Sequence, residues 1–241
     1  MARSSRRERA AWQASRRTEQ RYGSALRRLV AQITDLIRAG GTAAQISDRL
    51  LRYSNTIKPW ADAITTRMLR EVDMRDTKTW ERITKEMGIA LRAEIKNAPT
   101  GIAMRQLHGE EVDLITSLPR QAAERVQERA QEMVSEGLRF DEMAAEISGV
   151  TRNRARLIAR TEIAKAHSTL LQARAEYVGC DEYIWRTARD SDVRDSHQEM
   201  EGRVIRWDTP PVVDEGVPPY HAGRIYNCRC YPEPIIPRRI T

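Results

Sequence analysis

The sequence predicts a mainly α protein: a body of long helices at the N-terminal side and a small α+β C-terminal domain. Three observations predict it. Apolar residues recur at helical spacing from Tyr22 to Tyr177. Aromatics make up only 5% of the chain, with Phe140 the single phenylalanine, so a core must be built from Leu, Ile, Val, Met and Ala, which suits helices better than a sandwich. After Gly179 the pattern turns to short β-like runs and prolines. The organisation expected is a basic arm over residues 1–28, a helical body over 22–149 and a C-terminal domain over 150–241.

The elements follow in order. Tyr22, Leu26, Leu29, Ile33, Leu36 and Ile37 mark a first helix that Gly40-Gly41 ends. Thr42 can cap a second, with Ile46, Leu50 and Tyr53 as its apolar face. Pro59 suits a helix start, and Ile64 through Ile95 continue as a long helix or helix pair, kinked near Asp76-Thr77. Pro99-Thr100-Gly101 is a break. Ser117 and Pro119 announce a helix to Glu136, Asp141 caps a short one ending near Gly149, and Thr151 opens a longer one to Tyr177. Tyr183-Ile184-Trp185 and Gly202 through Ile205 read as paired strands. Residues 209–219, with four prolines, read as an extended loop, and Ile225-Tyr226 as a third strand before the cysteines.

Charge is unevenly placed. Residues 1–28 carry nine arginines, among them Arg3, Arg6, Arg7, Arg9, Arg16 and Arg17, against two acids, which accounts for the whole net charge of +7. Such an arm can neutralise phosphate or dock on an acidic protein, or simply be solvated. Only Trp12 and Tyr22 accompany it, too few aromatics for a dedicated single-strand binding surface. Charged residues form 31% of the chain and no apolar run approaches the ~18 residues of a spanning helix, so no membrane partner is expected. The N-terminus lacks the apolar core of a signal peptide. In the cytosolic setting this implies, three cysteines favour free thiols or a metal over disulfides.

Reactive residue types gather late in the chain. Cys228 and Cys230 can place two thiolates on one soft metal ion, with His197 as imidazole ligand and a fourth group from His221, Cys180 or Asp190. The other reading makes the cysteines small buried hydrophobes on one face of a strand, and the weakness of motif-only metal assignments favours it. Asp190 and His197 can be read as an acid–base pair, or as a turn in which Asp190 and Asp192 accept backbone N–H bonds and Arg194 bridges carboxylates. No nucleophile elbow, P-loop or H-E-x-x-H accompanies them, so structure is favoured over catalysis. Glu162 can pair with Lys165, or Arg160 and Glu162 can tie the helix to the C-terminal domain. Trp185 reads as a core anchor with a bonded indole N–H.

Taken in order, Arg160-Thr161-Glu162, Gly179, Trp185, Asp190, Arg194, His197, Gly202, the prolines from Pro210 to Pro219 and Cys228-Arg229-Cys230 resemble the C-terminal domain of the Mu-F-like phage head morphogenesis, or minor capsid, proteins. The resemblance covers about residues 150–235. It departs in Ala166-His167, where an asparagine is common, and in His221, which stands upstream of the usual position before the cysteines. It implies a non-enzymatic protein of a tailed-phage virion, inside the head near the portal and in the host cytoplasm during assembly. Its partners would be portal or major capsid protein, with packaged DNA touched by the arm, and it could pass into the host with the DNA. A structural zinc is the cofactor the cysteine cluster would take. Two other functions compete: a metal-dependent hydrolase or nuclease using Asp190, His197 and the cysteine pair, and a DNA-binding module working through the arm.

Overall fold

The computed structural model describes residues 12–86, 92–136 and 140–237. Its helices are α1 (Arg16–Arg38), α2 (Ala43–Thr56), α3 (Lys58–Glu86), α4 (Arg92–Asn97), α5 (Thr100–Glu136), α6 (Phe140–Tyr177) and the single turn α7 (Asp195–Gln198). The strands are β1 (Glu182–Arg186), β2 (Val204–Arg206) and β3 (Tyr231–Pro234). The mainly α architecture with a small C-terminal sheet is the class the sequence predicts. Contacts divide the chain into two compact units. One comprises the described parts of Met1–Thr18, Leu69–Leu107 and Arg160–Thr241; the other comprises Glu19–Met68 and His108–Ala159. Among the described residues no helix is long and apolar enough to cross a membrane.

In the second unit the expected spacing becomes a buried face. Tyr22, Leu26, Leu29, Ile33 and Ile37 of α1 and Ile46 and Leu50 of α2 are all buried. Thr42 caps α2 in a full capping box: its hydroxyl accepts from Gln45 N at 3.3 Å, and Gln45 Oε1 accepts from Thr42 N at 2.9 Å. Arg16 and Arg17 are exposed in the first turn of α1, whereas Arg3, Arg6, Arg7 and Arg9 lie outside the described residues.

Two expected breaks are absent. Pro119 lies inside α5 rather than at a helix start. Proline has no N–H to give the carbonyl four residues back, that of Ile115. The next carbonyl, that of Thr116, accepts from the Ser54 hydroxyl at 2.7 Å. Likewise α6 runs unbroken through Gly149 and Thr151. Ser148 and Thr151 do not cap; their hydroxyls donate to the carbonyls of Ala144 (2.6 Å) and Ile147 (2.7 Å), one turn back. Helix α3 is continuous through Asp76-Thr77.

In the first unit the sheet order is β2-β1-β3, antiparallel throughout. The β1–β2 hairpin is the expected one. The third strand is not Ile225-Tyr226, which lies in a turn, but Tyr231–Pro234 beyond the cysteines. Two prolines argue against a strand, yet an edge strand tolerates them where no ladder donor is needed. Ile235 N donates to Glu182 O at 3.0 Å, so the odd-numbered residues face β1 and Pro232 and Pro234 face away. All four β3 residues are buried, so an outward amide would have lacked a partner.

The core of this unit joins Trp12, Trp80, Leu171, Tyr183, Trp185, Trp207 and Tyr231. Trp12 meets Trp80 edge to face at 5.1 Å, and its carbonyl accepts from His167 Nε2 at 2.5 Å. Residue 12 is thus core, although the basic arm was expected to run to residue 28. Buried Arg174 of α6 binds Asp76 at 2.5 Å, Asp73 at 2.6 Å and the Thr77 hydroxyl at 2.8 Å, all on α3. Burial pushes the Asp76 carboxyl up to about 7 against the pull of Arg174.

Two stability predictions follow from these contacts. Breaking a buried ion pair from one side costs about 3–5 kcal/mol, so Arg174→Met should cost that much in denaturant unfolding at pH 8. The loss should shrink at pH 5: an acid whose folded pKa is raised holds its proton better folded than unfolded, so stability falls as pH rises through it. His167 behaves oppositely. Burial, reinforced by Arg75 and Arg174, lowers it from 6.5 to about 4, so its contribution is whole above 6.5 and is lost as pH falls through 4. His167→Gln should therefore flatten the pH 4–6.5 part of the stability profile relative to the parent; an unchanged slope would mean that His167 is not buried neutral.

Candidate functional site

Strand β1, the turn α7 and the segment before β3 converge on one buried cluster. His197 Nδ1 lies 3.5 Å from Cys228 Sγ and 3.4 Å from Cys230 Sγ. The ligand-capable atoms of the three residues fall within 4.8 Å of one another, and all three side chains are buried. Trp185 of β1 stands edge-on to the imidazole at 5.8 Å. Its indole N–H has no hydrogen-bond partner among the described residues, contrary to expectation, although it is near enough to favour the Cys230 thiolate.

The cysteine segment is held by α6. Asn227, in the left-handed conformation at φ 57, donates its N–H to the Thr161 hydroxyl at 2.9 Å, and its side-chain oxygen accepts from Arg160 at 2.9 Å. Arg160 thus ties the helix to this segment; Glu162 sits 3.7 Å from Lys165 one turn on. Arg194 donates to the Tyr226 carbonyl at 3.0 Å with its guanidinium 4.7 Å over that ring. Upstream, half-buried Arg224 donates to the Ser168 hydroxyl (3.2 Å) and to Gln172. Gly223, at φ +84, passes so close that a Cβ would stand 2.9 Å from the Cys230 carbonyl oxygen and 3.4 Å from that of Ala164. Gly202 turns from α7 into the hairpin at φ 84, its N–H donating to the Trp185 carbonyl at 2.9 Å.

The far side of the imidazole is fixed by a relay. The Tyr220 hydroxyl donates to Asp214 Oδ2 at 2.7 Å, so its oxygen accepts from His197 Nε2 at 2.9 Å. The Ser196 hydroxyl holds Asp214 Oδ1 at 2.6 Å. Arg194 Nη1 also lies 3.4 Å from Nε2, but the shorter Tyr220 contact, with that hydroxyl committed to Asp214, assigns the proton to Nε2 and leaves the Nδ1 lone pair facing both sulfurs. Burial pushes the Asp214 carboxyl up, but the bonds from Ser196 and Tyr220 outweigh it and hold it below the ordinary range. Burial and Asp214 both raise the Tyr220 hydroxyl, keeping it a donor. Between the thiols, the hydrogen bond to Cys230 pushes Cys228 down to about 5 and Cys230 up, as expected when one thiolate is held by its neighbour's S–H.

Several expected roles move. Asp190 is not the partner of His197; Asp214 is, at 3.5 Å from Nε2 and through Tyr220. Asp190 accepts from Arg229 at 2.6 Å and from Asp192 N at 3.2 Å. The turn reading therefore holds for Asp190, with Arg229 rather than Arg194 bridging the carboxylates, since Arg229 also reaches Asp192 at 3.1 Å. His221 is not in the cluster: its Nδ1 is 3.2 Å from the Tyr183 hydroxyl, and burial lowers it to about 4. Cys180 is buried elsewhere, its thiol pushed up by burial to about 12. Asp214 and Tyr220 gave no sequence signal, because they bracket a proline-rich stretch with no recognisable spacing.

Fold and site define a helical protein whose C-terminal region closes around a buried histidine–dicysteine cluster. Residues 124–232 match the family Phage Mu protein F like protein, a family of structural phage head proteins, as the order of motifs led one to expect. A protein of Haemophilus influenzae (strain Rd), itself called only "Uncharacterized protein", is 31% identical over 158 residues, 64% of this chain. The chain spans about a third (34%) of that relative's length. No solved structure matches.

Close approach at Gly223 gives a direct test. Gly223→Ala is expected to destabilise the protein by about 1–3 kcal/mol, the usual cost of overpacking. Gly216→Ala, at φ +71 with nothing within 4 Å, meets only backbone strain and should cost less. Equal unfolding midpoints for the two variants would remove the Gly223 contact from the account.

Proposed function

We propose that this chain acts in assembly of a tailed-phage head, as a minor protein lying inside the virion near the portal, with portal or major capsid protein as partner. The observation that carries this reading is the match over residues 124–232, whose motif residues Arg160, Trp185, Arg194, His197, Cys228 and Cys230 form one contiguous packed region. The region is tied together by hydrogen bonds among its own segments, which suits a rigid anchor. The hydrolase reading loses support, because the carboxylate it would use, Asp190, is engaged by Arg229 and not by His197. The arginines of residues 1–28 supply the contact to packaged DNA or to an acidic neighbour, and passage into the host with the DNA is compatible with that arm.

Mass spectrometry of purified virions is expected to find the protein in a few copies per head, with cross-links to portal protein. Cross-links from residues 1–28 should reach DNA or an acidic surface. Virions without the protein, or cross-links confined to tail proteins, would defeat the proposal.

A further inference from the structure

We propose that His197, Cys228 and Cys230 hold one zinc ion, through Nδ1 and two thiolate sulfurs, with the fourth ligand position opening toward the depression lined by Asp192, Arg194, Asn227 and Arg229. The geometry carries this. In a tetrahedral site with Zn–S near 2.3 Å and Zn–N near 2.0 Å, the nitrogen and each sulfur stand about 3.5 Å apart. The two observed separations, 3.5 and 3.4 Å, are close to that edge length and nearly equal. Hydrogen bonding to the imidazole satisfies only one of the two contacts at a time, because Nδ1 has one lone pair and accepts from one S–H. A cation between the three atoms uses all of them.

Independent observations agree. The Tyr220–Asp214 relay puts the imidazole proton on Nε2, the tautomer in which Nδ1 is a ligand. Orientation of a ligating histidine by a hydrogen-bonded carboxylate is the usual outer shell of a metal site. Two sulfurs and a nitrogen select zinc over magnesium or calcium. All three ligands are buried, and metal binding at such a site adds directly to folding free energy. Among the described residues no other His, Cys, Asp or Glu donor joins the group. Water entering from the depression therefore completes the tetrahedron. Binding releases the thiol protons still present, and no redox change is involved.

The test uses the full chain, purified under reducing conditions. Elemental analysis should find about one zinc per chain, and cobalt in its place should show the thiolate-to-cobalt charge-transfer absorption of a sulfur-ligated tetrahedral site. His197→Ala and Cys228→Ser should lose the metal, while Cys180→Ser and His221→Gln keep it. Tyr220→Phe, which leaves the three ligands in place, should weaken zinc affinity about 10–100-fold in a chelator competition. A folded parent protein with neither zinc nor the cobalt band overturns the proposal, whatever the variants do. So does metal that survives both His197→Ala and Cys228→Ser, or that departs with Cys180→Ser. None of these outcomes bears on whether the protein resides in phage heads.

Discussion

The segment that carries the two cysteines is fastened to the C-terminal half of α6. Arg160 and Thr161 hold the turn at Asn227, Ser168 and Gln172 hold Arg224, and Arg174 binds the carboxylates of α3. A sheet of three short strands buries too little apolar surface to fix its own loops. The helix supplies what the sheet lacks, a straight row of donors and acceptors at successive turns. Loops of irregular backbone are thereby held in place without secondary structure of their own.

The polarity of the site follows from that placement. A histidine between a tyrosine–aspartate pair and two thiols has its proton position decided by the stronger acceptor. Here the tyrosine donates onward to Asp214, so its oxygen is left to receive Nε2–H. The imidazole is consequently one-sided, a donor toward the proline-rich loop and a lone pair toward sulfur. The same loop that reads as featureless in the sequence is therefore what sets the chemistry of the cysteines.

Much of the helical fold was legible because 3.6-residue periodicity survives in a single sequence: the apolar face of α1 was readable but for Leu36, which is half-buried, and so was the Thr42 cap. Errors arose where local rules were overridden by partners distant in the chain. Pro119 and Gly149 look like helix boundaries, yet apolar residues on either side, Ile115 and Ala122 in α5 and Ile147 and Ala155 in α6, are buried on continuous helices. In the site, the Cys-x-Cys pair and His197 were visible as residue types, but their convergence was not. Asp214, Tyr220 and the clamp on Asn227 depend on contacts between segments far apart in the sequence, which no spacing rule encodes. The strand Tyr231–Pro234 escaped notice for a related reason, since a proline is forbidden or harmless according to which side of the strand it faces.

Those prolines bear on how copies of this protein can meet. An exposed strand edge invites a neighbouring chain to add its own strand and to keep adding, which ends in fibres. On the β3 side, alternate backbone positions present a pyrrolidine ring instead of a hydrogen-bond donor, and the strand is already covered. Lateral polymerisation through that edge is therefore blocked at the level of the backbone. The edge left open is the opposite one, β2, where Val204 and Arg206 are exposed.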